Sequence, residues 1–171
     1  MKKKLILLFV FCLTLSCERD DICAESTPTT PRLIMDFLDL SNSDNPKSVA
    51  NFRVEDADDS TRFLPDYSGS GAATSVILPL KTNENSTQFV LYNGYTTDSD
   101  GNVTGGNPDT ITIEYGTEEV YVSRACGFKT IFKNVEVTIE TDSDNWIQLI
   151  QPVNANQSIE DETTTHFNLL H

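Results

Sequence analysis

Histidine is nearly missing from this 171-residue chain, with His166 and His171 the two examples and the second standing at the chain end. Without paired histidines at ligand spacing there is no zinc-protease signature, and no nucleophile elbow or phosphate-cradling glycine loop takes its place. Basic residues are scarce as well, 12 Lys and Arg against 26 Asp and Glu, a formal charge of −14. That balance repels phosphate backbones and anionic headgroups, so it excludes nucleic acid as a partner and adhesion to a membrane by charge. Long apolar runs are absent after the first residues; the run from Leu5 to Leu15 covers eleven positions, where a spanning helix needs about 20. Internal repeats and amphipathic helical stripes are lacking too. A paired-carboxylate hydrolase is the one enzymatic arrangement that 26 acids leave open. The expectation is therefore a non-catalytic protein without a cofactor.

What the chain does have begins with Lys2, Lys3 and Lys4, followed by the apolar run and by Ser16 before Cys17. A positive start, a short apolar stretch and a small residue at a cleavage point make an export signal. Leu15-Ser16-Cys17 resembles the lipobox of bacterial lipoproteins, with Thr14 at the position where leucine is usual and Leu13 one step further back. The resemblance implies a signal peptide over residues 1–16 and a diacylglyceryl group on the Cys17 sulfur, so that the membrane is a partner through the anchor. An ordinary secretory signal cut nearby is the alternative. Each buried methylene of such an anchor contributes about 0.8 kcal/mol, and one chain alone holds only marginally. Arg19-Asp20-Asp21 is similar to the surface-export signal of these lipoproteins, a basic residue followed by two acids, which implies a domain facing the medium. Loss of Lys2, Lys3 and Lys4 takes the 12 basic residues to 9 against 26 acids, a formal charge of −17.

Four cysteines then reduce to a pair. Cys12 leaves with the signal, Cys17 carries lipid, and Cys23 and Cys126 remain. In an exported protein disulfides persist, and a bridge between these two would close a loop of about a hundred residues, contributing on the order of 4–5 kcal/mol in the chain-entropy model. Two buried thiols, or a two-cysteine metal site with no histidine close to either cysteine in sequence, are the other readings.

Periodicity sets the fold class. Ile111, Ile113 and Tyr115 alternate with Thr110, Thr112 and Glu114, and Val135, Val137 and Ile139 alternate with Glu136, Thr138 and Glu140. Both are half-buried strands with one wet face. Looser runs occur in RLIMDFLDL, ANFRV, SVILPL, TQFVLYN, EVYVS, CGFKTIF, WIQLIQPV and THFNLL. Seven to nine short strands between Gly, Asp, Asn and Ser clusters predict an all-β fold, a single antiparallel immunoglobulin-like sandwich over residues 32–171, after a polar lipidated tether over 17–31. Phe128, Thr130 and Phe132 are even-numbered whereas Val135, Val137 and Ile139 are odd, so a bulge or tight turn is expected at Lys133 and Asn134. Pro79 marks an edge strand or a break, and Asp66–Ser75 is expected to be a flexible connection.

Two groups of side chains are candidate sites. Asp98, Asp100, Asn102 and Asp109 supply oxygens at spacings that suit calcium, although Gly101 falls at the fourth position and Asp109 replaces the twelfth-position glutamate of an EF-hand. A turn-forming hairpin connection explains the same residues. Tyr92, Tyr95 and Trp146 could form an aromatic platform for a glycan, or could be core residues. Arg124, two positions before Cys126, is read as one half of a structural salt bridge.

Cys17 to Ile34, Glu118 to Phe132 and Thr141 to Gln148 together are similar to a family of Bacteroidetes-type cell-envelope lipoproteins of unknown function. The resemblance implies an outer-membrane lipoprotein, whether periplasmic or surface-exposed, and implies no activity. The functional expectation is a non-catalytic binding or envelope-assembly module whose partner is an envelope protein or a glycan.

Overall fold

The structure is a computed structural model that describes residues 22–171, and those residues form strands and connections without a helix. The signal over 1–16, Cys17 and Arg19-Asp20-Asp21 lie outside the described residues. Ten strands occur: β1 (Leu33–Asp39), β2 (Asn42–Pro46), β3 (Arg53–Asp56), β4 (Phe63–Ser68), β5 (Ser75–Leu78), β6 (Ser86–Thr97), β7 (Val103–Ser123), β8 (Gly127–Ile139), β9 (Leu149–Pro152) and β10 (Phe167–Leu170). They make two five-stranded sheets. One has the order β2-β1-β10-β9 with β5 also on β1; the other has the order β4-β3-β6-β7-β8.

Alternation along the strands brings the two sheets together. Leu33, Met35 and Phe37 of β1, with Val76 and Leu78 of β5 and Phe167 and Leu169 of β10, form the buried face of the first sheet. Val54, Phe89, Leu91, Ile111, Ile113, Tyr115, Phe132 and Val135 form that of the second, in the same apolar cluster. A sheet with one apolar face must cover it, and two such faces closing on each other are the simplest solution. Trp146, Ile147 and Ile159, contributed by connections, complete the cluster.

The pairing is not purely antiparallel as expected. β1 runs parallel to β10, Met35 opposite Phe167 and Leu38 opposite Leu170, so the start and the end of the domain are neighbours. A parallel pair needs no hairpin, and here the rest of the domain is the crossover. The expected bulge is found: Glu114 faces Glu136 but Gly116 faces Lys133, so Tyr115 alone of β7 opposes Asn134 and Val135 of β8, and Asn134 takes a left-handed φ of 51°. β5 stops at Leu78, immediately before Pro79, and pairs with β1 alone.

Three other expectations are corrected. DTITIEY and EVYVS belong to a single 21-residue strand, β7. That strand begins at Val103, so only the first half of the expected 97–109 turn is a turn. The connection expected to be flexible is tied down: Val49 and Ala73 exchange amide bonds at 2.9 and 3.0 Å, Phe52 N–H donates to Gly71 O and Gly69 N–H donates to Phe52 O. Gly69 sits there at φ 92° because a Cβ would come within 2.4 Å of the Tyr95 ring.

Candidate functional site

The leading segment meets the rest of the molecule at the β7–β8 turn. Cys23 and Cys126 are bonded, with Cα atoms 4.9 Å apart across 103 residues of sequence. The turn residues Arg124 to Cys126 form because β7 and β8 outrun the rest of their sheet as a two-stranded hairpin: Glu118 pairs with Ile131, Tyr121 with Phe128 and Ser123 with Gly127. Gly127 at φ 71° lets β8 leave the turn, and the Ser123 hydroxyl accepts from Cys126 N–H at 3.1 Å. From the disulfide, the segment follows β8. The Thr30 hydroxyl accepts from Thr130 N–H at 3.0 Å. Arg32 then locks onto Glu162: its backbone N–H and Nε–H donate to Oε1 at 2.8 and 2.9 Å, and Nη2 donates to Oε2 at 2.6 Å. Those donors hold the Glu162 carboxyl below the usual range. Arg124 is exposed in the turn, and no ion pair among the described residues includes it, so the salt bridge expected for it is not formed there.

The oxygens considered for calcium are not gathered. Asp98 closes its own turn: Oδ1 accepts from Asp100 N–H at 2.9 Å and Asn102 N–H at 2.8 Å, and Oδ2 accepts from Asn102 Nδ2 at 3.0 Å. These bonds, led by Asn102, keep its carboxyl below the usual range. Asp109 lies six residues up β7, roughly 20 Å away by strand rise, fully buried, where Oδ2 accepts from Ile147 N–H at 2.8 Å and Oδ1 from Trp146 N–H at 3.3 Å. Its task is to pin the β8–β9 connection onto the sheet. Burial holds its carboxyl above the usual range in spite of those two donors. No three carboxylate, cysteine or histidine groups among the described residues are placed to hold a metal ion.

Nor do the three aromatic residues make a platform. Trp146 is 9% exposed, donates Nε1–H to Leu91 O at 3.1 Å and packs edge-on against Phe52 and His171. A buried indole with its N–H satisfied is a core residue. Tyr92 and Tyr95 do meet, edge to face at 5.2 Å between centroids, on the outer side of β6. Tyr95 is covered there by Arg53, whose guanidinium lies 4.5 Å from its ring and 4.1 Å from that of Phe63 while Nε donates to Glu55 at 2.6 Å. The stack is closed on itself, with Tyr92 half-buried at its border.

A groove of about 250 Å³ lies elsewhere, walled by Phe63, Leu64, Pro79, Leu80 and Phe89 with Arg62 at its rim. Its charged groups are already paired, Arg62 with Asp56 at 3.3 Å and Lys81 with Asp58 and Glu84 at 3.2 Å each. Sequence reasoning did not find it, because its walls come from three separate segments, none of which carries a motif. No helix among the described residues is long and apolar enough to cross a membrane.

A search of curated proteins and one of solved structures each returned no match to the chain. A model of a protein family does match, over residues 57–171, a span that holds β4 to β10 and Cys126 while Cys23 and β1 to β3 precede it. The chain therefore belongs to this family, described as a family of unknown function, DUF6452.

Proposed function

We propose that the chain is an envelope lipoprotein, acylated at Cys17 and held at the outer membrane by that anchor, in which the two-sheet domain is a non-catalytic module for binding or for envelope assembly. The observation that carries this reading is the Cys23–Cys126 bond, which fastens the segment six residues past Cys17 to the tip of the longest hairpin. Such a bond belongs to an oxidising compartment, in keeping with an export signal ahead of it. It also keeps a lipid on Cys17 within a short arm, at most about 20 Å, of the hairpin tip. The immunoglobulin-like type of sandwich is proposed with it, supported by two facing sheets around one core and by the parallel closure of β1 on β10. For the binding role, the apolar groove between Phe63, Leu80 and Phe89 is one candidate concavity; an envelope protein fits it better than a glycan, since Trp146 is withdrawn into the core.

Metabolic labelling with palmitate tests the anchor. The wild-type chain is expected to incorporate label and to sediment with membranes, and Cys17→Ser to lose both. Unlabelled wild-type protein released from cells in soluble form would overturn the reading.

A further inference from the structure

Exposed large apolar side chains are spread over the described residues, but the most exposed of them lie at one end. Ile22 at 83%, Phe128 at 63% and Tyr121 at 59% exposure are the three most exposed large apolar residues among those described. All three belong to the disulfide-bonded end: Ile22 precedes Cys23, and Tyr121 and Phe128 face each other across the hairpin one pair before its turn, their rings edge to face at 5.4 Å. A hydrophobic pair built this way, on two strands that project beyond their sheet, buries nothing in the domain. Isolated exposed apolar residues are ordinary, whereas a cluster of them needs a partner.

We infer that the β7–β8 tip is a membrane foot: Tyr121, Phe128 and Ile22 enter the headgroup region of the same bilayer that holds the lipid on Cys17. The inference rests on the reading of Cys17 as the anchor. Six residues, fully extended, reach at most about 20 Å, and the disulfide fixes their far end at the turn, so the tip stays within that reach of the lipid. Aromatic side chains with an apolar body and, in tyrosine, a polar tip favour that interface. Arg124, exposed in the turn between them, is long enough to lay its stem on the surface and its guanidinium among phosphates. The acids Glu18, Asp20 and Asp21 on the connecting arm, with the chain's formal charge of −14, rule out attraction by charge, so contact comes from the apolar groups. A protein partner is the less fitting occupant. Specific protein interfaces bury about 800 Å² on each side, far more than three side chains present, whereas a bilayer contact beside an acyl anchor needs only a small patch because the acyl chains supply most of the attachment.

The test uses the full lipidated chain carrying Phe128→Trp, reconstituted in phosphatidylcholine vesicles with bromine on the acyl chains, beside Val103→Trp at the opposite end of β7. Flotation reports the anchor and quenching of tryptophan emission reports the foot, with Trp146, buried in the core, giving a constant background. Expected are flotation of both proteins and loss of about half of the Phe128→Trp emission, as suits a ring 5–10 Å into the headgroup boundary, with Val103→Trp unchanged and the effect insensitive to salt. Flotation with no quenching at position 128 would overturn the foot and leave the anchor standing, assigning the tip to water or to a protein. Failure to float would overturn both.

Discussion

At the scale of single residues, His166 shows how a scarce side chain is used. It is buried, its Nδ1 accepts from Ile34 N–H at 3.0 Å, and its Nε2, which must then carry the hydrogen, donates to Asp161 O at 3.1 Å. The neutral ring thus joins β1 to the β9–β10 connection. Protonation would set an N–H against the Ile34 N–H. Burial lowers its pKa from the ordinary 6.5, outweighing the nearby Asp161 and Glu162, which act to raise it. With a depressed folded value, the native state favours the neutral ring, so the stabilisation is complete above pH 6.5 and is lost as pH falls through that value towards the folded one. Urea midpoints measured from pH 7.5 to 5 are expected to fall for the wild type and to fall less for His166→Gln. His171, also lowered by burial, adds to the slope, and Asp109, raised by burial, opposes it. Identical slopes for the two proteins would refute the role given to His166. None of this was legible in the sequence, where a histidine five residues from the end shows no partner; the same holds for Asp109, whose acceptors' partners are backbone amides 37 and 38 residues away.

Among elements, β8 is the one whose irregularity the sequence announces. The change of parity between Phe132 and Val135 predicts the bulge, and the structure places Asn134 there with positive φ. Asparagine tolerates that conformation, glycine adopts it freely and a β-branched residue does not. The bulge lets both Phe132 and Val135 reach the core from one strand, while their amides bond outward to Ile159 O and Gln157 O. Asn134→Gly is expected to change stability by a few tenths of a kcal/mol, whereas Asn134→Val should cost about 1–2 kcal/mol, read from urea unfolding. Equal costs would show that the asparagine side chain matters rather than the backbone angle. Strands with one wet face, such as 110–115 and 135–140, were legible because burial leaves a period of two. β2 was not, since all five of its residues, Asn42 to Pro46, are exposed and it forms through backbone pairing to β1 alone. β4 was hidden for a similar reason, its proline and aspartate being tolerable only because it is an edge strand.

The two-sheet domain as a whole is closed by joining its first and last strands. β1 lies against β10, Arg32 clamps Glu162, and the disulfide carries the segment before β1 to the far end of the β7–β8 hairpin. Composition and cysteine count predicted the last of these; the parallel β1–β10 pair was out of reach, since pairing between the first and last strands leaves no local pattern. The three links act differently on stability. Arg32 and Glu162 are partly exposed, and a pair of that kind contributes about 0–1 kcal/mol. β1 is already held in its sheet by β10, β2 and β5, so the disulfide adds little order to the native state. Its effect falls on the unfolded chain, where a closed loop spanning 103 residues of separation removes conformations worth on the order of 4–5 kcal/mol. The double variant Cys23→Ser/Cys126→Ser, which leaves no stray thiol, is therefore expected to keep the wild-type circular dichroism and the wild-type protection of core amides in β1, β6 and β7, while its urea midpoint drops by the equivalent of that loop. Faster hydrogen exchange should be confined to residues 23–31 and the hairpin beyond Glu118. A loss below about 1 kcal/mol would mean that the reduced chain is already held compact when unfolded, and loss of core protection would mean that the bond organises the native sheets instead of constraining the chain that forms them.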